Sequence, residues 1–157
     1  KVKKIIMANI KIVYGSGGGN TELVCEKVAE VLEKRGHKVE LLKAKLTEPA
    51  AIGQYDLLIF ASPTYGHGQL EQYFEKFLEK MESVDLTGKP CSIIGLGDPK
   101  YDRDYHLESI KVIMDFLKRK NAKLVYMPLR VSKCPLPLLG GHVKRWAEKL
   151  VDFLKSV

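Results

Sequence analysis

The stretch that decides the fold runs from Ile10 to Glu22 and reads Ile-Lys-Ile-Val-Tyr-Gly-Ser-Gly-Gly-Gly-Asn-Thr-Glu. Apolar residues typical of a buried strand lead into four glycines, and a helical pattern opens at Leu23. Glycine lets several backbone N–H groups turn toward one point, and the N-terminus of the following helix adds the positive end of its dipole. The stretch therefore predicts either a phosphate-binding loop or an ordinary tight turn with a helix N-cap.

Three polar side chains in this loop can add hydrogen-bond donors toward an anion, namely Ser16, Asn20 and Thr21. No lysine follows the glycines, so the Walker pattern GxxxxGK[ST] is absent. A phosphate at this position would be held by neutral dipoles, including the backbone amides of the three consecutive glycines 17–19.

The rest of the chain alternates between strand and helix patterns. We predict five strands, over residues 9–14, 38–42, 55–61, 90–96 and 124–131. Helical patterns follow the first, third, fourth and fifth of them, and this alternation predicts an α/β protein with right-handed βαβ units and a parallel sheet covered on both faces. In such sheets ligands bind at the carboxyl ends of the strands. The glycine-rich loop, the loop 62–68 and the loop 97–101 should therefore meet at one rim.

Composition places the chain among single-domain globular proteins. It has 157 residues, of which 45% are hydrophobic and 29% charged, and no apolar run is long enough to cross a membrane. Its three cysteines are widely spaced and match no metal-binding pattern, which predicts reduced thiols in a cytoplasmic protein without a metal site. The three histidines at positions 37, 106 and 142 have no partner at ligand spacing, so we expect them on the surface.

Residues 1–6 precede Met7, which predicts a short N-terminal extension followed by one domain over residues 7–157.

Positive charge is concentrated in the last third of the chain. The formal net charge is +7, and the stretch from Lys111 to Val157 holds eleven Lys or Arg against three Asp or Glu. This basic third is either a solvated face or a docking surface for an acidic partner protein. Nucleic-acid binding is not expected, because no binding motif accompanies the charge.

Three segments in order carry a family resemblance: Ile12–Glu22, then Tyr55-Asp-Leu-Leu-Ile-Phe-Ala-Ser-Pro-Thr-Tyr-Gly66, then Gly95-Leu-Gly-Asp-Pro-Lys-Tyr-Asp102. Together they resemble the flavodoxins, and the resemblance covers the chain from about Ile10 onward. With no room for an insertion in the fifth strand, the chain resembles a short-chain member. The resemblance implies a flavodoxin-like, doubly wound, five-stranded parallel sheet of order 2-1-3-4-5.

The resemblance also implies noncovalently bound flavin mononucleotide (FMN). Its phosphate would lie in the first loop and its ring between the second and third loops, with one tyrosine on each ring face. The implied contacts are Ser16, Gly17, Gly18, Gly19, Asn20, Thr21, Ser62, Pro63, Thr64, Tyr65, Gly66, His67, Gly97, Asp98 and Tyr101. Tyr65 would cover the inner face and Tyr101 the outer face, since aromatic rings suit a flat apolar ligand.

The function implied is that of a low-potential single-electron carrier between a reductase and an acceptor, working through the flavin semiquinone and hydroquinone. The carbonyl oxygen of the peptide between Gly66 and His67 would accept a hydrogen bond from the N5–H of the semiquinone. We expect a monomer without catalytic residues, because no Ser/His/Asp or Cys/His constellation is present.

Two other functions stay open from the residues. A flavodoxin-like NAD(P)H-dependent quinone or azo reductase shares the fold, but it usually carries longer loops over the flavin than this chain has. A phosphate-binding module without flavin is the other alternative, because Gly17 and Gly18 stand where the family commonly has Thr or Ser.

Overall fold

The computed structural model describes residues 7–16, 18–65, 69–97, 108–132 and 134–155. The strands are β1 Asn9–Tyr14, β2 Lys38–Lys43, β3 Leu57–Tyr65, β4 Gln69–Leu70, β5 Pro90–Gly97, β6 Lys123–Leu124 and β7 Leu129–Ser132. The α-helices are α1 Asn20–Lys34, α2 Gln72–Met81, α3 Glu108–Arg119 and α4 Lys144–Lys155. Short 3-10 turns span Ala44–Leu46, Pro49–Ile52 and Leu136–Leu138, and a π-helical turn spans Leu139–Val143.

The sheet confirms the predicted strand order. β2, β1, β3 and β5 lie side by side and are parallel, and both β6 and β7 pair in parallel with β5 beyond them. The predicted fourth strand is β5, and the predicted fifth strand is split into β6 and β7. β4 is a short addition that pairs antiparallel with the end of β3.

The break between β6 and β7 is held by α4. Tyr126 adopts a left-handed backbone conformation, with φ of 63°, and its ring centroid lies 4.7 Å from that of Phe153. Trp146 Nε1 donates a hydrogen bond to the carbonyl oxygen of Met127 at 2.8 Å. Pro128 has no N–H to give to a ladder, which explains why a continuous strand over 124–131 does not form.

Two apolar layers enclose the sheet. Residues of α1 and α4 pack on one face, and residues of α2 and α3 pack on the other. Cys25, Cys91 and Trp146 are buried in these layers. No helix in the described part of the chain is both long and apolar enough to cross a bilayer.

His37 is buried, and the prediction that it lies on the surface is wrong. Only 7% of it is exposed, and its Nδ1 accepts a hydrogen bond from the backbone N–H of Ala8 at 3.0 Å. The imidazole lies where the chain enters β2 and satisfies a backbone donor just before β1. His142 is exposed as expected, and His106 lies outside the described residues.

The third strand is longer than predicted. We expected a loop after Ala61, but β3 continues to Tyr65 by pairing with β5 as far as Pro63 and with β4 at its end. The ladder from β1 stops with Tyr14 opposite Ala61, so later residues of β3 have lost that neighbour. A proline is tolerated in a strand where one side is unpaired, and Pro63 lies in this part of β3.

Candidate functional site

A cavity of about 550 Å³ opens at the carboxyl ends of the strands. Its walls come from the loop between β1 and α1, the ends of β3 and β5, and the segment after β7. The lining residues are Ser16, Gly18, Asn20, Thr21, Pro63, Thr64, Tyr65, Leu96, Gly97 and Cys134. This volume is typical of small-ligand sites, and the position is the switch point where open α/β sheets bind their ligands.

The loop after β1 is shaped to leave backbone donors free. Gly19 adopts a left-handed conformation, with φ of 86°, and its N–H donates to Ser16 Oγ at 3.0 Å. Gly19 is also the N-cap of α1 and supplies no capping side chain. Amides in the first turn of a helix have no partner inside the helix, so those of α1 are open to an acceptor from outside it.

Space is distributed unevenly along this loop. An added Cβ on Gly18 or Gly19 would meet no atom within 4 Å, whereas one on Gly15 would lie 2.7 Å from Glu71 Oε1 and 2.9 Å from Phe74 Cβ. Gly15 also donates its N–H to the carbonyl oxygen of Ala61 at 3.0 Å. The loop is therefore anchored against α2 and β3 at its start and forms an open cradle at its end.

Glu71 is the buried support behind this anchor. The residue is only 4% exposed, and its carboxylate accepts hydrogen bonds from the N–H groups of Tyr73 (2.9 Å) and Phe74 (3.1 Å). The N–H of Glu71 donates to Ser62 Oγ at 3.4 Å, and Ser62 Oγ donates to the carbonyl oxygen of Pro63 at 2.9 Å. Glu71 caps the N-terminus of α2, and the helix therefore starts at Gln72.

The end of β3 is tied to α3. Thr64 Oγ1 accepts a hydrogen bond from the Ser109 N–H at 3.1 Å and donates one to Ser109 Oγ at 2.8 Å. Next to it, Tyr65 lines the cavity with 41% of its surface exposed. One hydroxyl of the wall therefore bonds to a neighbouring helix, and Tyr65 adds partly exposed aromatic surface to the cavity.

Among the described residues, none of those lining the cavity carries a formal charge. Charged groups lie instead behind the loop, where Glu22, Lys43 and Lys45 line a separate pocket of about 300 Å³. The Tyr14 hydroxyl donates a hydrogen bond to Glu22 Oε1 at 3.1 Å, and burial together with this bond raises the pKa of Tyr14. Tyr14 therefore stays protonated in the pocket behind the loop.

The structure brings most of the predicted contacts together. The described residues that line the cavity as predicted are Ser16, Gly18, Asn20, Thr21, Pro63, Thr64, Tyr65 and Gly97. Gly19 shapes the loop, and Ser62 is completely buried beneath the wall. The other predicted contacts lie outside the described residues: Gly17, Gly66, His67, Asp98 and Tyr101.

Two lining residues were not predicted, Leu96 and Cys134. Leu96 directly precedes Gly97 at the end of β5. Cys134 follows the end of the edge strand β7, and the rule that all loops after parallel strands share one rim would have included it.

The fold and this cavity define a doubly wound α/β protein with a neutral, glycine-rich cradle at the switch point of its sheet. The family model described as Flavodoxin matches residues 12–151. A flavodoxin of Maridesulfovibrio salexigens is 33% identical over 149 residues, which cover 93% of this chain and 99% of that protein. The chain belongs to the flavodoxin family.

Solved structures agree with this assignment. Oxidised flavodoxin 2 from Bacillus cereus superposes with a TM-score of 0.84 at 27% identity and covers 92% of this chain and 99% of its own. A flavodoxin of Fusobacterium nucleatum, solved with bound flavin mononucleotide, has the same fold, with a TM-score of 0.79 at 20% identity, and the match covers 93% of this chain and 98% of its own.

Proposed function

We propose that this chain is an FMN-dependent, low-potential carrier of single electrons between redox proteins. The observation that carries the proposal is the neutral cavity between the glycine-rich cradle and the ends of β3 and β5. Bound FMN supplies the one-electron chemistry, because its ring accepts electrons one at a time. The protein's residues bind the cofactor, orient it and set the polarity around it.

The cradle fits a phosphate held without a positive side chain. Ser16 and Thr21 offer hydroxyl donors, Asn20 offers an amide, and the first turn of α1 adds backbone N–H groups aligned with the helix dipole. The open space above Gly18 and Gly19 lets an anion approach the backbone closely. Neutral donors bind a phosphate by geometry, so affinity should depend only weakly on salt.

The other walls fit a flat apolar ring. Pro63 and Leu96 contribute aliphatic surface, and Tyr65 contributes an aromatic face. These groups exclude water and offer no positive charge, so they disfavour additional negative charge on the ligand. The reduction potential for adding the second electron would therefore be lower than in free FMN.

Binding is tested by comparing FMN with riboflavin, which has the same ring but no phosphate. We expect wild-type protein to retain FMN through desalting and to bind riboflavin much more weakly. Thr21→Val should weaken FMN binding while leaving riboflavin binding unchanged, because Thr21 lines the cavity in the first turn of α1, where the phosphate is proposed to bind. Thr87→Val is the matched control, since Thr87 is exposed and lies away from the cavity. Equal affinity for FMN and riboflavin would contradict the phosphate assignment.

We further propose that the basic third of the chain docks an acidic redox partner. Its exposed cations lie on α3, α4 and the edge strands: Lys111, Lys118, Arg119, Lys123, Arg130, Lys144, Arg145 and Lys149. Surfaces of one sign steer encounter with the opposite sign, and salt screens this attraction.

The partner proposal is tested by the salt dependence of electron transfer. Transfer from the reduced protein to an acidic iron–sulfur ferredoxin should slow as ionic strength rises, whereas transfer to a basic c-type cytochrome should not. Replacing Lys144 and Arg145 together by Glu should reduce the first rate more than the control Lys34→Glu on α1. Equal effects of the two replacements would show that Lys144 and Arg145 on α4 take no part in docking.

A further inference from the structure

We propose that Ser109, which no sequence motif singled out, is a positioning residue for the cofactor. Together with Thr64 it latches the start of α3 to the end of β3, and this latch holds Thr64 in the wall of the cavity. The part of the proposal that concerns the cofactor rests on the proposed function. The latch itself stands on the geometry alone.

The latch is a reciprocal pair of hydrogen bonds across 45 residues of sequence. Ser109 is completely buried, and its N–H and Oγ both contact Thr64 Oγ1, at 3.1 Å and 2.8 Å. The Thr64 hydroxyl accepts the first bond and donates the second, so both of its roles are used. A first-turn amide of α3 is thus capped by a side chain from another element, β3.

β5 holds the same turn of α3 from a second side. An added Cβ on Gly95 would lie 2.2 Å from Ile110 Cγ1 and 3.2 Å from Ser109 Oγ, so α3 rests directly on the backbone of β5. Ile110 is itself buried there. The first turn of α3 is therefore held between β3, through Thr64, and β5, through Gly95.

Both strands end in the cavity wall. Thr64 and Tyr65 belong to the wall from β3, and Leu96 and Gly97 to the wall from β5. Thr64 itself lines the cavity, and its hydroxyl is held by both bonds to Ser109. Losing these bonds lets this part of the wall move and weakens its fit to a bound ligand. Removing the latch should therefore speed the release of FMN.

A simpler role for these bonds is to stabilise α3 without affecting the cofactor. Ser109→Ala separates the two roles, because a completely buried side chain has no surface in the cavity and can influence FMN only through Thr64. Thr64→Val removes both bonds, and Thr64→Ser keeps the hydroxyl. The control is Thr47→Val, which removes a Thr hydroxyl of similar burial that donates to the Lys43 carbonyl oxygen at 2.6 Å.

The main readout is the rate of FMN release, followed by the recovery of free-flavin fluorescence. Ser109→Ala should release FMN about fivefold faster, as the loss of one net hydrogen bond predicts. Thr64→Val should have at least the same effect, Thr64→Ser should restore the wild-type rate, and Thr47→Val should leave it unchanged. The double variant Ser109→Ala/Thr64→Val should behave like Thr64→Val alone, because the two residues act as one unit.

Unchanged release in Ser109→Ala, or additive effects in the double variant, would overturn the positioning role. Amide hydrogen exchange of the apoprotein tests the latch without the cofactor. The first-turn amides of α3 should exchange faster in Thr64→Val than in wild type, and equal exchange would show that no latch exists. If wild-type protein fails to bind FMN, the proposed function fails, and faster exchange in Thr64→Val would still support the latch as a link between β3 and α3.

Discussion

Replacement of Gly15 by alanine tests how the cradle is anchored. The new Cβ would lie 2.7 Å from Glu71 Oε1 and 2.9 Å from Phe74 Cβ, both closer than real Cβ contacts. Overpacking of this kind costs about 1–3 kcal/mol. Displacing the Glu71 carboxylate from the N-terminus of α2 adds about 1 kcal/mol, as for other lost caps. The lower entropy of the unfolded alanine chain returns only about 0.5 kcal/mol.

The expected net loss for Gly15→Ala is therefore about 1.5–3.5 kcal/mol in the free energy of unfolding. For a chain of this size, that loss lowers the melting temperature by about 5–10 °C. Urea unfolding of the apoprotein, followed by circular dichroism, measures the loss directly. Gly18→Ala is the matched control, since its Cβ would meet no atom within 4 Å and its stability should stay close to wild type. Equal stability of the two variants would refute this account of the anchor.

Three further changes test other contacts. Thiol titration should find one fast-reacting group in the native protein, Cys134, and three in urea, because burial protects the other two thiols and raises their pKa. Trp146→Phe should lower the free energy of unfolding, measured in urea, by about 1 kcal/mol, because the Met127 carbonyl oxygen loses its hydrogen-bond donor. The hydrogen bond from Arg119 lowers the pKa of Glu82, so this pair stabilises the fold above the unfolded pKa of Glu82 and is lost as pH falls through the folded value. NMR titration of Arg119→Met should show that pKa returning upward, and an unchanged value would contradict the pairing.

Most of the fold could be predicted from apolar periodicity. Strands buried on both faces read as continuous apolar runs, and their alternation with amphipathic helices leaves few possible sheet orders. The details that escaped depend on tertiary contacts. Pro63 suggested a loop, but β5 continues to pair with β3 there, and His37 looked like a surface residue until its bond to Ala8 was visible.

The candidate site could be predicted as far as chain position determines it. Parallel strands end at one rim, and this brings Thr21, Thr64 and Gly97 to a common cavity. Side-chain direction could not be predicted in this way. The Thr64 hydroxyl donates a hydrogen bond to Ser109 Oγ in α3, and the Ser62 hydroxyl donates one to the carbonyl oxygen of Pro63. The Thr64 orientation depends on a partner that lies far away in sequence.

The most direct test of the central claim is a spectroelectrochemical titration of the protein with FMN bound. We predict that the flavin is reduced in two separate one-electron steps, and that the second step occurs at a lower potential than in free FMN, because the described residues that line the cavity carry no positive charge. Reduction in a single two-electron step at the potential of free FMN would contradict a single-electron carrier and would favour the reductase alternative.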